Sequence, residues 1–358
     1  MNLDGEKKRF HFVTLGILPY FYKDIFRMIW SILDSQNLQY SYGDEFDTDS
    51  NAINVLTDVN AYIVNSCHIP IKQLCLLLTE FPCRYYSLST FNLFYSVYVK
   101  ITLLSINKYY LFFGKDCSWI NTGKYADVIN KFCCKLQSKS LSRALSDYNR
   151  FLSVKEVFHR FGLVFLLHPS QSNHLSCLSS SASLSQTVIV LYPPLTASGN
   201  DCSDIEHLND IEITGTVTEY RKQEAQKVLK AIGYDRNYNL IIKDFSQKNI
   251  GSDNKWCSMS EESAAPWSIH PPQNKYWLYS SPARIHRAVQ ISKTIPILTK
   301  KYNDHPIENI AFSKKEIIHI LPSGSYKGIC SEFKKRVDAY NIKVADLNNA
   351  EFMKLERL

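Results

Sequence analysis

The sequence predicts an α/β protein with two Rossmann-like domains, each built on a parallel sheet. Apolar runs of strand length alternate with helical patterns along most of the chain. This alternation is interrupted once near the middle by a polar stretch, and it then starts again. In the segment Lys275–Asn309 a helical pattern, a short apolar strand and a polar loop follow one another, which is half of a βαβ unit.

Composition agrees with a folded protein of two domains. The chain has 358 residues, 45% of them hydrophobic and 21% charged, which is typical of a globular protein and not of a disordered one. The net charge of +7 suits an anionic ligand or a membrane surface. Because the chain contains no dense basic run and no zinc-finger spacing, we expect no nucleic-acid partner.

The cysteines and the chain start favour a reducing compartment. Ten cysteines are scattered without a C-x-x-C pair, and residues 1–12 lack the apolar core of a secretion signal. The longest apolar stretch, Phe91–Leu104, is too short and too interrupted by polar residues to span a bilayer. We therefore expect a cytoplasmic protein, compatible with peripheral contact at the inner face of the membrane.

The first half of the chain predicts one doubly covered sheet. Its strands are expected at Phe10–Leu18, Asn51–Val59, Cys83–Leu88, Tyr109–Phe113, Gly162–His168 and Thr187–Tyr192, and its helices at Tyr20–Ser35, Ile71–Glu80, Phe91–Leu104 and Val154–Phe161. The serine-rich stretch Pro169–Gln186 shows little periodicity and is expected to be an exposed loop.

The second half predicts a smaller unit of the same kind. Strands are expected at Ile211–Thr214, Leu240–Lys243, Ile295–Leu298 and Ile317–Ile320, and helices at Glu219–Ile232, Arg284–Ile291 and Cys330–Tyr340. The predicted organisation is an N-terminal domain over 1–195, a linker over 196–209, a second domain over 210–330 and a final helix over 331–358 that could pack back on the first domain. Pro169–Gln186 is the alternative position for the boundary.

Two segments of the second half have residues suited to an anion. Gly215 directly follows a strand, Thr216 supplies a hydroxyl, and Arg221 falls in the first turn of the next helix, where a planar guanidinium can bind a phosphate. The alternative is an ordinary strand–helix turn capped by Thr218. In the second segment Arg284 lies near a helix start and Lys300 just beyond a strand, so the two could face an anion together, unless both are merely solvated.

Together these segments resemble a bacterial glycosyltransferase of the GT-B type. The resemblance covers both halves through Phe10–Pro19 with the helix that follows, Asn51–Asp58, Ile213–Arg221 and Ser281–Glu308. It implies two Rossmann-like domains that face each other across a cleft. A nucleotide sugar would bind to the C-terminal domain and a glycan or lipid-linked acceptor to the N-terminal domain, and no cofactor other than the donor substrate is implied.

The resemblance also implies roles for individual residues. Gly215, Thr216 and Arg221 would approach the diphosphate, Ser281 and Arg284 would lie near the phosphates or the donor sugar, and Glu308 would lie near the ribose. From its position just beyond a strand, Lys300 is a further candidate to face the nucleotide. The chain departs from the pattern of retaining members, because Arg287 stands where their second glutamate is expected. Polysaccharide biosynthesis is the process that the resemblance implies.

Transfer with inversion requires a general base from the N-terminal domain, for which His11, Asp24 and Asp58 are the candidates. Structural roles compete: His11 alternates with apolar residues in a strand, and Asp24 falls in the first turn of a helix. The D-x-D sequence at Asp47 and Asp49 is interpreted as a surface loop, and no metal site is predicted. Two other classes remain open, an inactive sugar- or nucleotide-binding protein and an epimerase or dehydrogenase, although no dinucleotide fingerprint follows the first strand.

Overall fold

The fold is known from a computed structural model that describes residues 8–14, 18–19, 21–79, 154–179, 186–196, 210–215, 217–231, 239–244, 249–250, 265–272, 282–299, 305–313, 315–317 and 326–357. The predicted elements Cys83–Leu88, Phe91–Leu104 and Tyr109–Phe113 lie outside these residues.

Two parallel sheets form the protein and confirm the predicted α/β class. The first sheet contains β1 (Arg9–Val13), β3 (Gln39–Gly43), β4 (Ala52–Thr57), β5 (Leu74–Leu78), β6 (Leu163–Leu166) and β7 (Thr187–Val190), in the order β3-β1-β4-β5-β6-β7. The second contains β8 (Asp210–Gly215), β9 (Asn239–Asp244), β11 (Trp267–His270), β12 (Ile295–Leu298) and β13 (Phe312–Ser313), in the order β13-β12-β11-β8-β9. We call the two halves the N-lobe and the C-lobe.

Both strand orders are doubly wound: from one central strand the chain first continues toward one edge of the sheet and later toward the opposite edge. In the N-lobe the chain steps outward from β1 to β3 and then returns across β1 to β4; in the C-lobe it steps from β8 to β9 and returns to β11. The resulting switch points, β1/β4 and β8/β11, create crevices at the carboxyl ends of the strands where open α/β sheets bind ligands.

The longer helices of the described residues are α1 (Phe21–Ser35), α2 (Glu219–Ala231), α3 (Pro282–Gln290) and α4 (Tyr326–Phe352). Helix α1 follows β1 and buries Tyr22, Phe26 and Ile29 with their neighbours against the N-lobe sheet. Helix α2 buries Ala225, Val228 and Leu229 against the C-lobe strands. The sequence periodicity predicts the positions of these helices because each presents one apolar stripe to a sheet.

The two lobes are joined by more than their connecting chain. One apolar cluster includes Val13 and Leu56 of the N-lobe together with Ile285 and Leu298 of the C-lobe. A short antiparallel pair, β2 (Leu18–Pro19) with β10 (Asn249–Ile250), also connects the halves.

Helix α4 crosses from one lobe to the other. Its first turns place Ile329 in the C-lobe core, whereas Phe352 near its end lies in the N-lobe core with Leu355. The helix is much longer than the predicted Cys330–Tyr340.

Several predicted elements differ from the structure. The strand expected at Phe10–Leu18 ends at Val13, and Leu18 belongs to the separate strand β2. The helix expected at Ile71–Glu80 is wrong: a 3-10 turn, Ile71–Gln73, leads into β5, whose five apolar residues are buried between β4 and β6. A continuous apolar run does not distinguish a buried strand from a buried helix. The loop expected at Pro169–Gln186 begins as a 3-10 helix, Pro169–Cys177, which is capped by the Gln171 side chain. Residues 315–317 are helical, at the point where the strand Ile317–Ile320 was expected to begin.

Candidate functional site

The candidate site lies at the C-lobe switch point. Gly215 is the last residue of β8 and His270 is the last residue of β11, and these two strands are neighbours in the sheet. Three arginines of α2 and α3 act on His270 through their charges: Arg221 and Arg284 lie in the first turns of these helices, and Arg287 lies in the last turn of α3. We call Arg221, His270, Arg284 and Arg287 the arginine cluster.

Arg221 is held against the end of β8. Its backbone N–H donates to the hydroxyl of Thr218 at 3.3 Å, which is the N-cap arrangement that the sequence predicts as an alternative to a ligand role. Its guanidinium is fully buried, and Nη2 donates to the carbonyl oxygen of Thr214 at 3.1 Å. Gly215 makes this position available because its φ is +102°, and a Cβ there would lie 3.5 Å from Nη1 of Arg221.

His270 is a site residue that sequence reasoning missed. The imidazole is buried, and its Nε2 lies 2.9 Å from the hydroxyl oxygen of Ser268. Burial, and then the positive charges of the three arginines of the cluster, lower the pKa of His270 to about 3, so the ring is neutral near pH 7. The sequence feature that could have identified His270 is its position directly before Pro271-Pro272, at the end of a short strand-like run that starts with Trp267.

Arg287 connects the arginine cluster to the N-lobe. It is 4% exposed, and its Nη1 donates to both carboxylate oxygens of Asp24 on α1, at 3.2 and 3.0 Å. His286, the residue before Arg287, also contacts α1: its Nε2 lies 3.2 Å from the hydroxyl oxygen of Ser31, about two turns beyond Asp24. Helices α1 and α3 are therefore joined by an ion pair and a hydrogen bond, both between lobes.

The charge around Asp24 is mainly positive. Burial raises the pKa of Asp24, and the charges of Arg287, Arg27 and Lys23 oppose this rise. Lys23 is itself buried, with 3% of its surface exposed. A group of buried cations favours the binding of an anion, because an added negative charge offsets the cost of burying them.

Glu212 of β8 is a buried carboxylate with a lysine partner. The carboxylate is buried on β8, where Oε1 accepts from the Thr214 hydroxyl at 2.9 Å and Oε2 lies 2.9 Å from Nζ of Lys243. A buried carboxylate with a lysine partner is the usual arrangement for such a group.

The other two candidate bases lie in the N-lobe. His11 is in the body of β1, where Nδ1 lies 2.8 Å from the Ser41 hydroxyl and Nε2 lies 2.9 Å from the carbonyl oxygen of Glu45. Asp58 directly follows β4 at the N-lobe switch point and is 2% exposed; its Oδ1 accepts from Tyr22 at 3.2 Å and from Thr79 at 3.0 Å. The structure thus brings Asp24 into contact with the arginine cluster.

Of the remaining predicted donor residues, the structure describes Glu308. Glu308 is buried in the 3-10 helix Pro306–Asn309, which begins after His305 at the contact between the lobes. Thr216, Ser281 and Lys300 lie outside the described residues. The ligand roles of all these residues stay predictions.

Neither a metal cluster nor a membrane span is found in the described part of the chain. Within it, no group of three or more His, Cys, Asp or Glu side chains is arranged to hold a metal ion. Asp47 and Asp49 of the D-x-D sequence both form ion pairs with Arg9. None of the helices in the described ranges is long and apolar enough to cross a membrane.

Comparisons with known proteins add little to this description. No protein-family model and no curated protein matches the chain. Twenty chains of solved structures match, among them a crystal structure of the glycotransferase of kitacinnamycin, at 8% identity over 97% of this chain and 99% of that one, with a TM-score of 0.32. The strand orders of the two sheets, and not this likeness, establish the fold.

Proposed function

We propose that the protein is a metal-independent glycosyltransferase of the GT-B type, which moves a sugar from a nucleotide-activated donor to a glycan or lipid-linked acceptor. The observation that carries the proposal is the arginine cluster at the β8/β11 switch point. Three guanidinium groups beside a neutral imidazole suit a diphosphate, which needs charge-assisted donors both when it binds and when it leaves.

In this proposal Arg284 and Arg287 bind the donor's phosphates, while Arg221 and Gly215 shape the end of β8 beneath them. Asp24 is the general base, since it is the candidate base in contact with the arginine cluster. The remaining donor-binding residues are Glu308, Ser281 and Thr216, as the resemblance to GT-B enzymes implies, together with Lys300, which follows β12 in the sequence. A raised pKa, as burial gives Asp24, suits a base that must take a proton from a hydroxyl group.

A thermal-shift screen with nucleotides and nucleotide sugars, in buffer containing EDTA, tests the proposal. A compound that binds only the folded state must raise the midpoint of unfolding. We expect one family of nucleoside diphosphates to do so, and Arg284→Gln to weaken its binding roughly tenfold or more, because one charge-assisted hydrogen bond contributes about 1.5–3 kcal/mol.

The matched control for this variant is Arg336→Gln. Arg336 lies on α4 and pairs with Glu316 and Glu332, away from the cluster, so its loss should leave nucleotide affinity as in the wild type. Equal affinity in wild type and Arg284→Gln would remove the donor assignment.

A second function, nucleotide or sugar binding without catalysis, is favoured by one specific observation. Each candidate base already has partners: His11 at both ring nitrogens, Asp24 at Arg287, and Asp58 at two hydroxyl groups. Release of nucleoside diphosphate from a bound nucleotide sugar separates the two functions. A transferase releases it, at least slowly by hydrolysis without acceptor, whereas a binding protein returns the donor intact.

A further inference from the structure

Arg287 takes part in two groups at once. Through Nη1 it binds both oxygens of Asp24 on the N-lobe helix α1. Its charge also acts on His270, together with the charges of Arg221 and Arg284, at the end of β11. The guanidinium of Arg287 therefore binds the candidate base and also contributes its charge to the candidate anion site.

The surroundings of this ion pair are fixed by both helices. From α1, Lys23 and Arg27 act on Asp24 beside the ion pair. On α3, Arg284 belongs to the arginine cluster, and Nε2 of His286 lies 3.2 Å from the hydroxyl oxygen of Ser31. The Ser31 hydroxyl donates to the carbonyl oxygen of Met28 at 2.7 Å, so towards His286 it acts as the acceptor, and Nε2 of His286 is the donor.

We propose that Arg287 is a positioning residue that couples the two sites, so that an anion bound at the arginine cluster competes with Asp24 for Arg287. This inference rests on the proposed function of the site. Because coupling between two sites is reciprocal, the anion weakens the hold of Arg287 on the Asp24 carboxylate by the same factor by which that carboxylate weakens anion binding.

The coupling has a consequence for transfer. When the donor diphosphate shares Arg287, the carboxylate of Asp24 loses stabilisation by its cation and becomes a stronger base. Asp24 then accepts the proton of the acceptor hydroxyl as the acceptor oxygen bonds to the anomeric carbon. The bond from that carbon to the diphosphate oxygen breaks, and its electron pair leaves with the nucleoside diphosphate. Binding of the donor at Arg287 thus increases the basicity of Asp24 at the stage when the sugar can be transferred.

Binding of inorganic pyrophosphate, measured by titration calorimetry near pH 7, tests this coupling without any turnover. The variant Asp24→Asn keeps the size of the side chain and removes its charge, so Arg287 is released to the anion. We expect pyrophosphate to bind roughly fivefold or more tightly to this variant than to the wild type. A residue that only holds the lobes together would give unchanged or weaker binding when Asp24 is altered.

Two further variants separate the coupling from general electrostatics. Asp34→Asn removes a carboxylate from an exposed position of the same helix, and we expect it to leave the affinity within about twofold of the wild type. In the background Arg287→Gln, the gain from Asp24→Asn should disappear, since the shared group is gone.

The outcomes distinguish the inference from the function on which it rests. Wild-type protein that binds neither pyrophosphate nor any nucleoside diphosphate overturns the proposed function itself. Wild-type binding that Asp24→Asn fails to strengthen, in a variant with the wild-type circular dichroism spectrum, overturns the coupling alone. An equal gain in Asp34→Asn also overturns it, because the effect would then come from net charge.

Discussion

Asn348 of α4 makes two hydrogen bonds with the backbone of Tyr192, just beyond β7. Its Oδ1 accepts from the Tyr192 N–H at 3.3 Å, and its Nδ2 donates to the Tyr192 carbonyl oxygen at 2.7 Å. Two turns earlier, Asn341 bonds to the N–H and carbonyl groups of Leu195 in the same way. Among the described strands β7 is the last of its sheet, and these amides bond to the backbone that continues directly from it, at an edge where exposed groups could pair with another strand.

The first prediction concerns this pair. Asn348→Ala leaves a buried N–H and a buried carbonyl group without their partner, so we expect the free energy of unfolding to fall by about 2–4 kcal/mol, as two lost buried hydrogen bonds imply. Urea denaturation followed by fluorescence measures it. The neighbouring exposed Asn349→Ala is the control. A loss below about 0.5 kcal/mol in Asn348→Ala would show that α4 does not secure the edge.

A second prediction concerns Gly162, at the start of β6. A Cβ at this position would lie 2.7 Å from the carbonyl oxygen of Ile71, which itself accepts from the Gly162 N–H at 2.9 Å. Both partners are backbone, so neither can move aside as a side chain would. We expect Gly162→Ala to lower stability by about 1–3 kcal/mol, the usual cost of overpacking. Gly328→Ala, at an exposed position of α4, should not lower stability, and equal losses in thermal unfolding would contradict the explanation.

The sequence predicts the parts of the fold that have regular patterns. Strands β4 and β12 are apolar runs bounded by polar residues, and α1 has a clear apolar stripe, so all three are found where expected. Strand β3 was missed although Tyr40 and Tyr42 alternate with polar residues and both stack on Trp30 of α1. It is a short strand at a sheet edge, and none of its residues is fully buried, so it has no apolar run of the kind that identified the central strands.

The candidate site was predicted only in part, for two physical reasons. Strand β11 was missed because Ser268 and His270, which turn a polar face toward the site, break its apolar pattern. Arg221 and Arg284 could be predicted since each follows a helix start, where anions bind. The pairing of Asp24 with Arg287 joins positions 263 residues apart and depends on how the lobes meet, which no local pattern contains.

A third prediction tests the backbone of the candidate site. Gly215 has a φ of +102°, which side chains with a Cβ rarely adopt, and it lies against the Arg221 guanidinium. We expect Gly215→Ala to cost about 1–2 kcal/mol of stability because of this strain. Relief of this strain shifts the backbone at the end of β8, where Arg221 donates to the Thr214 carbonyl oxygen, so the substitution should also weaken pyrophosphate binding. A variant with wild-type stability, measured by urea denaturation, would show that the backbone there accepts a side chain without strain.

The last prediction concerns acid stability. His168 and His305 meet at the contact between the lobes, with ring centroids 5.7 Å apart, and Tyr192 packs on His305 at 5.3 Å. Burial lowers the pKa of His168 to about 4, and burial with the nearby His168 lowers that of His305 to about 3. Between about pH 6.5 and pH 4 the unfolded chain therefore takes up protons that these folded imidazoles do not.

Stability should accordingly fall as the pH is lowered through this range, with each buried neutral histidine contributing up to about 1.4 kcal/mol per pH unit. His305→Gln removes one such group, so we expect its free energy of unfolding to depend less steeply on pH than that of the wild type, even though the variant is less stable at pH 7. The exposed His159→Gln is the matched control. Urea denaturation at pH 4.5, 5.5, 6.5 and 7.5 gives both slopes, and identical slopes in wild type and His305→Gln would mean that the His305 imidazole is protonated in the folded protein over this range.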